Sequence, residues 1–263
     1  MMLYPPIRSL LTTSARKDYY SYILIIPLIS GYLFYRQKGI LFSNSEYSRA
    51  GAIIMAVGLM LYFFRGNYGA QLNLDDYSSV GVFSVLVFWV GAFVLLFGYE
   101  KIEKKAFPFL FLLLMIPIPS YLLERLIGLI QQASVEATYR LFQVMGFPVL
   151  KEGVVFHLHA IAVEVAEECS GIRTTIALFV MGLLAADLFL KTRWKKGVLV
   201  LSSLPIAILK NAIRIITLTV LGAYVDVELI NRGFLHRRGF IFFLFALVLL
   251  GGVLWILRRS EKP

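Results

Sequence analysis

The sequence predicts an all-α protein that crosses a membrane several times, and two observations lead to this fold class. Hydrophobic residues make up 59% of the 263 residues and charged residues only 16%, whereas a soluble domain has about 45–50% apolar and about 25% charged residues. The apolar residues also form blocks close to the ~20 residues that a helix needs to cross a bilayer. We therefore predict seven or eight transmembrane helices, a short external β-hairpin and an amphipathic helix.

Six blocks are apolar enough to be membrane spans, and a seventh is interrupted. The six are Tyr19–Tyr35, Ala50–Phe64, Ser78–Gly98, Ser170–Leu190, Gly197–Gly222 and Gly239–Leu257. The seventh begins at Ala106 and is broken by Pro117 and Pro119, which remove backbone donors and kink or end a helix. Two prolines and an arginine interrupt residues 1–13, so an eighth crossing there stays open.

Two segments of the second half have other patterns. Leu122–Met145 carries apolar residues at helical spacing with polar residues such as Glu136 among them, which predicts an amphipathic helix. Residues 153–163 alternate with a period of two and are rich in β-branched residues, which predicts a β-hairpin. Because such backbone is not stable when exposed to lipid, we expect the hairpin outside the hydrocarbon, leading directly into Cys169.

The basic residues predict the orientation of the spans. Short loops rich in lysine and arginine stay in the cytoplasm, and three such clusters lie at 101–105, 191–196 and 258–262. The clusters agree with one another if Ser170–Leu190 runs inward, and the acidic loop Gly66–Tyr77 then lies outside. The formal charge of +10 is thus explained by topology, and no nucleic-acid partner is expected.

The only cysteine lies at the start of a predicted span. Free N–H groups and the helix dipole at this position would stabilise a Cys169 thiolate. Glu167 and Glu168 would oppose this effect unless they are paired elsewhere, and Arg173 returns to the same helical face one turn on. The alternative is a small structural cysteine buried at a tight helix start.

Two more polar groups are predicted at the same outer level. Arg214 lies inside the Gly197–Gly222 span, where an arginine costs at least ~2.5 kcal/mol and usually lines a cavity or meets a polar partner. Asn211 shares its face, and Lys210, one turn deeper, needs a polar partner of its own. His236 directly precedes the last span. A thiol, a fixed cation and a proton carrier form the minimum set for acyl transfer.

A metal site is the less favoured interpretation of the histidines. His157 and His159 would face the same side of a strand, but a catalytic metal site needs three ligands with an open position. No convincing third ligand is near them in the sequence except His236 or a glutamate. We therefore expect neither a metal nor a cofactor.

The order and spacing of these motifs resemble those of the exosortases and archaeosortases. The matching pieces are Glu-Cys-Ser-Gly-Ile-Arg at 168–173, Asn-Ala-Ile-Arg at 211–214 and His236. The Cys-Ser-Gly form is more similar to the bacterial exosortases, the PEP-CTERM-type sorting enzymes. The resemblance implies an exosortase-like catalytic membrane core over residues 106–263, after N-terminal membrane helices over residues 1–105.

The resemblance also implies an activity. Such enzymes are cysteine proteases or transpeptidases of the inner membrane with an active site toward the periplasmic face. Their substrates are membrane-anchored secreted proteins that end in a short motif, one transmembrane helix and a basic end, and the acceptor is a lipid or a polysaccharide. Cys169 would be the nucleophile, Arg214 would stabilise the oxyanion and His236 would transfer protons, while Arg173 and Asn211 would bind substrate or support the site.

Three alternatives stay open. The same residues would serve an intramembrane cysteine protease that uses water as the acceptor. A transporter would use Arg214, Lys210 and Glu136 to line a polar path, but the sequence shows one broken span and no internal repeat of the kind that transporters often have. A non-catalytic scaffold for envelope assembly would tolerate Cys169→Ala without loss of function.

Overall fold

The computed structural model describes residues 22–41, 47–68, 72–158, 161–166, 170–224 and 239–261. Five described helices are long and apolar enough to cross a membrane: Arg49–Asn67, Asp75–Phe97, Ile172–Phe189, Arg193–Leu221 and Gly239–Arg259. A sixth span results if the helices on both sides of the proline break, Phe107–Met115 and Ser120–Val144, count as one broken span. A predominantly helical, multi-pass architecture is therefore confirmed.

The predicted number of spans, seven or eight, is not confirmed, since the described residues contain five spans, or six with the broken one. The first predicted span, Tyr19–Tyr35, is represented in the described residues by an apolar helix over Tyr22–Arg36. Its described part is shorter than 18 residues, so at 1.5 Å per residue that part reaches less than the ~30 Å of the hydrocarbon core. Tyr19 and the predicted extra crossing over residues 1–13 lie outside the described residues.

The chain divides into two compact units, Met1–Leu123 and Glu124–Pro263. The helices of the first unit are α1 (Ile26–Arg36), α2 (Lys38–Leu41), α3 (Arg49–Tyr68), α4 (Leu74–Phe97), α5 (Tyr99–Lys104) and α6 (Phe107–Leu112), the last extended by a 3₁₀ turn over Leu113–Met115. Helix α7 (Ser120–Val144) begins in the first unit and continues into the second. No finding tests the predicted division at residues 105 and 106, which stays a prediction.

Glycines bring α3 and α4 into close antiparallel contact. A Cβ atom at Gly58 would lie 2.6 Å from the backbone nitrogen of Phe88, and one at Gly91 would lie 2.6 Å from that of Met55. A Cβ at Gly51 would lie 2.2 Å from the backbone nitrogen of Leu95. Small residues at these positions let the two backbones approach, as is usual for helices packed in lipid.

A polar cluster in the first unit fixes the chain at the proline break. The backbone N–H of Ser120, the first residue of α7, donates to Asp76 Oδ1 at 2.7 Å. The Ser79 hydroxyl lies 2.7 Å from the carbonyl oxygen of Pro117. The start of α4 therefore satisfies backbone groups that the two prolines leave without helical partners.

The second unit combines a small sheet with three long helices. Its elements after α7 are β1 (Leu150–Glu152), β2 (Val155–Leu158), β3 (Ile161–Glu164), α8 (Ile172–Phe189), α9 (Arg193–Tyr224) and α10 (Gly239–Arg259). The strands are antiparallel in the order β1-β2-β3. The segment predicted as a hairpin supplies β2 and β3, and the sequence did not indicate the third strand, β1, which has only three residues.

Two apolar clusters hold the second unit together. The larger one joins α8, α9 and α10 through buried residues such as Leu178, Leu199 and Leu250. The other joins the sheet to α7 and α9, with buried Phe156 of β2, Val135 of α7 and Ile215 of α9 at its centre. The clusters fix α8 and the sheet against the same helix, α9.

Candidate active site

The segment that follows Cys169 makes a tight turn into α8. Gly171 has a φ of 74° and is the residue before the first turn of α8. Its carbonyl oxygen accepts hydrogen bonds from the Thr174 hydroxyl at 2.9 Å and from the Thr175 hydroxyl at 3.0 Å. The left-handed conformation, which costs other residues ~1–2 kcal/mol, lets the chain enter the helix directly after Ser170.

Two adjacent residues of α9 hold this turn. Asn211 Nδ2 donates to the carbonyl oxygen of Ser170 at 3.1 Å. The Lys210 ammonium donates to the Thr174 hydroxyl, which in turn donates to the carbonyl oxygen of Gly171. Lys210, Asn211 and Ser170 are each at most 1% exposed, so these contacts are shielded from solvent.

The turn also fits closely against these two side chains. A Cβ atom at Gly171 would lie 2.9 Å from Asn211 Oδ1 and 3.3 Å from Lys210 Nζ. Residue 171 is therefore a glycine for two reasons, its backbone conformation and the space that α9 leaves.

Arg214 lies on α9 one turn beyond Lys210. Its side chain is partly buried, and its Nε atom is buried without a hydrogen-bond partner among the described residues. None of the ion pairs within the described ranges involves Arg214 or Lys210. A guanidinium donor that is already buried and oriented can stabilise negative charge that develops during a reaction.

The sheet fixes the chain on the other side of Cys169. Val165, directly after β3, is 2% exposed and packs in the cluster that contains Ile215 of α9. Its carbonyl oxygen accepts a hydrogen bond from Gln131 Nε2 of α7 at 2.6 Å. Residues 165 and 170 are thus both held against α9: Val165 packs in the cluster of Ile215, the residue after Arg214, and Ser170 is bonded to Asn211.

The structure describes three of the five predicted site residues. Asn211 and Arg214 lie three residues apart on one face of α9, and Asn211 contacts the turn into α8. Arg173 is exposed in the first turn of α8, and the α8 residue that contacts Lys210 is its neighbour Thr174. Cys169 and His236 lie outside the described residues, so their assignments stay predictions.

Sequence reasoning identified Lys210 as a buried cation in need of a partner but missed that partner. A threonine in the first turn of a helix is a common sequence feature, and nothing in the sequence indicates that Thr174 meets Lys210. Ser170 and Gly171 were noted only as parts of a motif. Their contacts depend on how α8 packs against α9, which periodicity does not give.

Glu136 and His157, which the transporter and metal-site alternatives would use, have local partners. Glu136 lies 2.8 Å from Lys151 Nζ and 3.1 Å from Arg140 Nε, and its carboxylate is half exposed. His157 Nε2 lies 3.3 Å from Glu152 Oε2, and His159 lies outside the described residues. The described ranges contain no group of three His, Cys, Asp or Glu side chains placed to hold a metal ion.

Comparison with known families gives one match. The sequence model of a family described as transmembrane exosortase matches residues 14–252, which is nearly the whole chain. No match was found among curated proteins or among solved structures.

Proposed function

Because this chain belongs to the transmembrane exosortase family, we propose that it is a membrane-embedded thiol enzyme that cleaves C-terminal sorting tails from secreted proteins. Its substrates would carry a short motif, one transmembrane helix and a basic end. The enzyme would lie in the inner membrane with its active site toward the periplasm. After cleavage it would transfer the shortened protein to an envelope acceptor, a lipid or a polysaccharide.

The observation that carries this proposal is the support of the segment around Cys169. Ser170, the next residue, is held by Asn211, and the Cα atoms of consecutive residues are ~3.8 Å apart. Arg214 lies on the same helix three residues from Asn211, with a buried donor that no described residue accepts. A buried, hydrogen-bonded turn supports nucleophilic attack from the preceding residue, and a buried guanidinium donor that has no acceptor among the described residues supports oxyanion stabilisation.

In the proposed first step the Cys169 thiolate attacks the carbonyl carbon of the scissile peptide bond. A carbon–sulfur bond forms, and the negative charge moves to the carbonyl oxygen, where Arg214 stabilises it. The carbon–nitrogen bond then breaks as the His236 imidazolium donates a proton to the leaving amine. The products are a thioester on Cys169 and the released tail.

In the second step the acceptor resolves the thioester. Neutral His236 takes a proton from the acceptor hydroxyl, whose oxygen attacks the thioester carbon. The carbon–sulfur bond breaks and the thiolate is regenerated. Water in place of the acceptor would give hydrolysis by the same residues, so the acceptor has to be identified from the product.

The proposal is tested by co-expression with a secreted protein that carries a motif–helix–basic tail. The wild type is expected to release the tail, and Cys169→Ala is expected to leave the substrate at full length. Ser202→Ala is the matched control, because among the described residues the Ser202 hydroxyl bonds the carbonyl oxygen of Leu199 within its own helix, and it should process normally. Equal processing by Cys169→Ala and the wild type would refute the nucleophile assignment.

The mass of the processed protein separates transfer from hydrolysis. A product heavier than the cleaved chain by a lipid or a glycan indicates transfer to that acceptor. A free carboxyl terminus in every preparation would exclude transfer and leave a protease that uses water.

A further inference from the structure

Lys210 is a buried cation, and placing a lysine inside a membrane span costs free energy that another contact or a function has to offset. It is 1% exposed and ranks among the largest fully buried side chains of the described chain. It belongs to α9, within the membrane-spanning range Arg193–Leu221, where a lysine costs at least ~2.5 kcal/mol on insertion scales. A leucine or methionine would fill the same volume without that cost.

Among the described residues, the hydrogen bond of Lys210 leads to the turn that follows Cys169. Its ammonium donates to the Thr174 hydroxyl, which donates to the carbonyl oxygen of Gly171 at 2.9 Å. The ammonium also lies 3.3 Å from where a Gly171 Cβ would be. Asn211, the next residue of α9, holds the adjacent carbonyl, that of Ser170. Consecutive residues of α9 thus hold consecutive carbonyls of the turn.

The charges near Lys210 make a structural ion pair a poor explanation within the described ranges. Arg214 lies one turn on along α9 and has the same sign, and Arg173 in the first turn of α8 is also a cation. The ion pairs of the described residues include no carboxylate bound to Lys210. Two cations on one face of a membrane helix instead favour an anion close to them.

We infer that Lys210 is a positioning residue of the proposed reaction, a role that rests on the proposed function of Cys169. Through Thr174 it fixes the first turn of α8, and it adds a second positive charge beside Arg214 that favours the thiolate of Cys169. Loss of this support displaces the sulfur relative to Arg214. A displacement of about 1 Å in an active site lowers the rate by on the order of 10²-fold.

Four substitutions separate the effect of the Lys210 charge from that of the hydrogen bonds through the Thr174 hydroxyl. Lys210→Met removes the charge and the donor, and Lys210→Arg retains both. Thr174→Val removes only the hydroxyl that accepts from Lys210, and Thr174→Ser keeps it. Lys195→Met is the matched control, because Lys195 is a second buried lysine of α9, 6% exposed, that donates to the carbonyl oxygen of Leu257.

The first readout needs no substrate. The rate at which iodoacetamide alkylates Cys169 is measured as a function of pH on purified protein in micelles. We expect Lys210→Met to shift the profile to higher pH, since loss of a nearby cation raises the pKa of a thiol. We expect Lys210→Arg and Lys195→Met to follow the wild type. An unchanged profile in Lys210→Met would overturn the electrostatic part of the role.

The second readout is the kinetics of tail release. We expect Lys210→Met to lower kcat by on the order of 10²-fold with little change in KM, Thr174→Val to lower it less, and Lys210→Arg and Thr174→Ser to restore most of the activity. If Lys210→Met does not fold, the pair Thr174→Val and Thr174→Ser decides the matter. Wild-type kcat in both Lys210→Met and Thr174→Val would contradict the inference.

The two proposals fail in different ways. If Cys169→Ala still processes substrate, the proposed function is wrong, whatever Lys210 does. If Cys169→Ala is inactive while Lys210→Met and Thr174→Val behave as wild type in both readouts, only the role of Lys210 is wrong.

Discussion

At the scale of single residues, the described part of the site depends on Gly171, where the surrounding atoms leave no room for a side chain. Gly171 has a positive φ and faces two buried polar side chains of α9, so both the backbone and the available space select glycine there. With glycine there, Asn211 reaches the carbonyl oxygen of Ser170 directly, and Lys210 is linked to that of Gly171 through the Thr174 hydroxyl. This residue-scale fit sets the position from which the chain continues back to Cys169.

The requirement for glycine at residue 171 predicts a large effect of one methyl group. We expect Gly171→Ala to destabilise the protein by ~1–2 kcal/mol from the backbone conformation alone, with a further cost because the Cβ would lie 2.9 Å from Asn211 Oδ1. We also expect tail release to fall more than tenfold. Thermal unfolding in micelles and the processing assay measure the two effects.

Gly182→Ala is the control for this substitution, in the same helix α8. Its Cβ would meet its nearest neighbours at 3.8–3.9 Å, an ordinary contact distance, so stability should stay unchanged or rise by up to ~1 kcal/mol, since alanine is favoured over glycine inside a helix. If the two alanine variants behave alike, the Gly171 turn does not have the role described for it.

At the scale of elements, each unit is organised around one closely packed feature. In the first unit this is the α3–α4 pair, in which glycines let the two backbones approach each other. In the second unit it is helix α9, against which α8, α10 and the sheet all pack. Because α9 carries Lys210, Asn211 and Arg214, the helix at the centre of the packing also carries the polar groups.

The α3–α4 contact predicts a position-dependent effect of alanine in α3. At Gly58 a Cβ would lie 2.6 Å from the backbone nitrogen of Phe88, and a helix backbone cannot give way as a flexible side chain can. We expect Gly58→Ala to lower stability by ~1–3 kcal/mol, the usual cost of overpacking. Unfolding in a detergent series measures it.

Gly66→Ala tests the same substitution in the same helix where nothing lies within 4 Å. Removing a glycine from an exposed helical position favours the helix by ~0.5–1 kcal/mol, so this variant should be unchanged or more stable. A loss of stability at Gly66 as large as that at Gly58 would show that contact with α4 is not the cause.

A carboxylate near the end of the chain predicts a pH effect. Backbone N–H groups of Thr192 and Lys191, just before α9, donate to Glu261 at 2.9–3.2 Å and hold its pKa below the ordinary value of 4.5. A lowered pKa in the folded state means that the contact stabilises the protein above pH 4.5 and ceases to do so as the pH falls through the lowered pKa.

Glu261→Gln should therefore have a lower melting temperature than the wild type at pH 7, and the difference should shrink below pH 4.5. Melting in micelles over this pH range measures it, and the effect should be small because the carboxylate is exposed. Glu103→Gln, at an exposed position of α5, is the control. A difference that stays constant down to pH 3 would contradict the assignment.

The elements show what the sequence could and could not predict. Long apolar blocks such as Gly239–Leu257 have one stable arrangement in lipid, and the structure has a helix over Gly239–Arg259. The strand β1 was not predicted, because Leu150, Lys151 and Glu152 form a strand only through pairing with β2. The contact of Lys210 with Thr174 was likewise hidden, since it depends on the packing of two helices.

At the scale of the whole molecule, the proposed function requires that each end of a span lies on a defined side of the membrane. The basic clusters predict that the Gly66–Tyr77 loop is periplasmic and that the 191–196 connection is cytoplasmic. Because Cys169 is the only cysteine, Cys169→Ser provides a background for single-cysteine labelling. A cysteine at Asn73 should then react with an impermeant maleimide in intact spheroplasts, and one at Lys191 only after lysis. The opposite labelling pattern would invert the proposed topology.

The central claim is that Cys169 carries the acyl group of the cleaved protein. Intact-mass analysis of the enzyme, after brief exposure to substrate and acid quenching, tests it most directly. We predict an adduct equal to the substrate portion before the scissile bond, mapped to Cys169, removed by hydroxylamine and absent in Cys169→Ser. Tail release without any such adduct, or an adduct on another residue that persists in Cys169→Ser, would contradict the account.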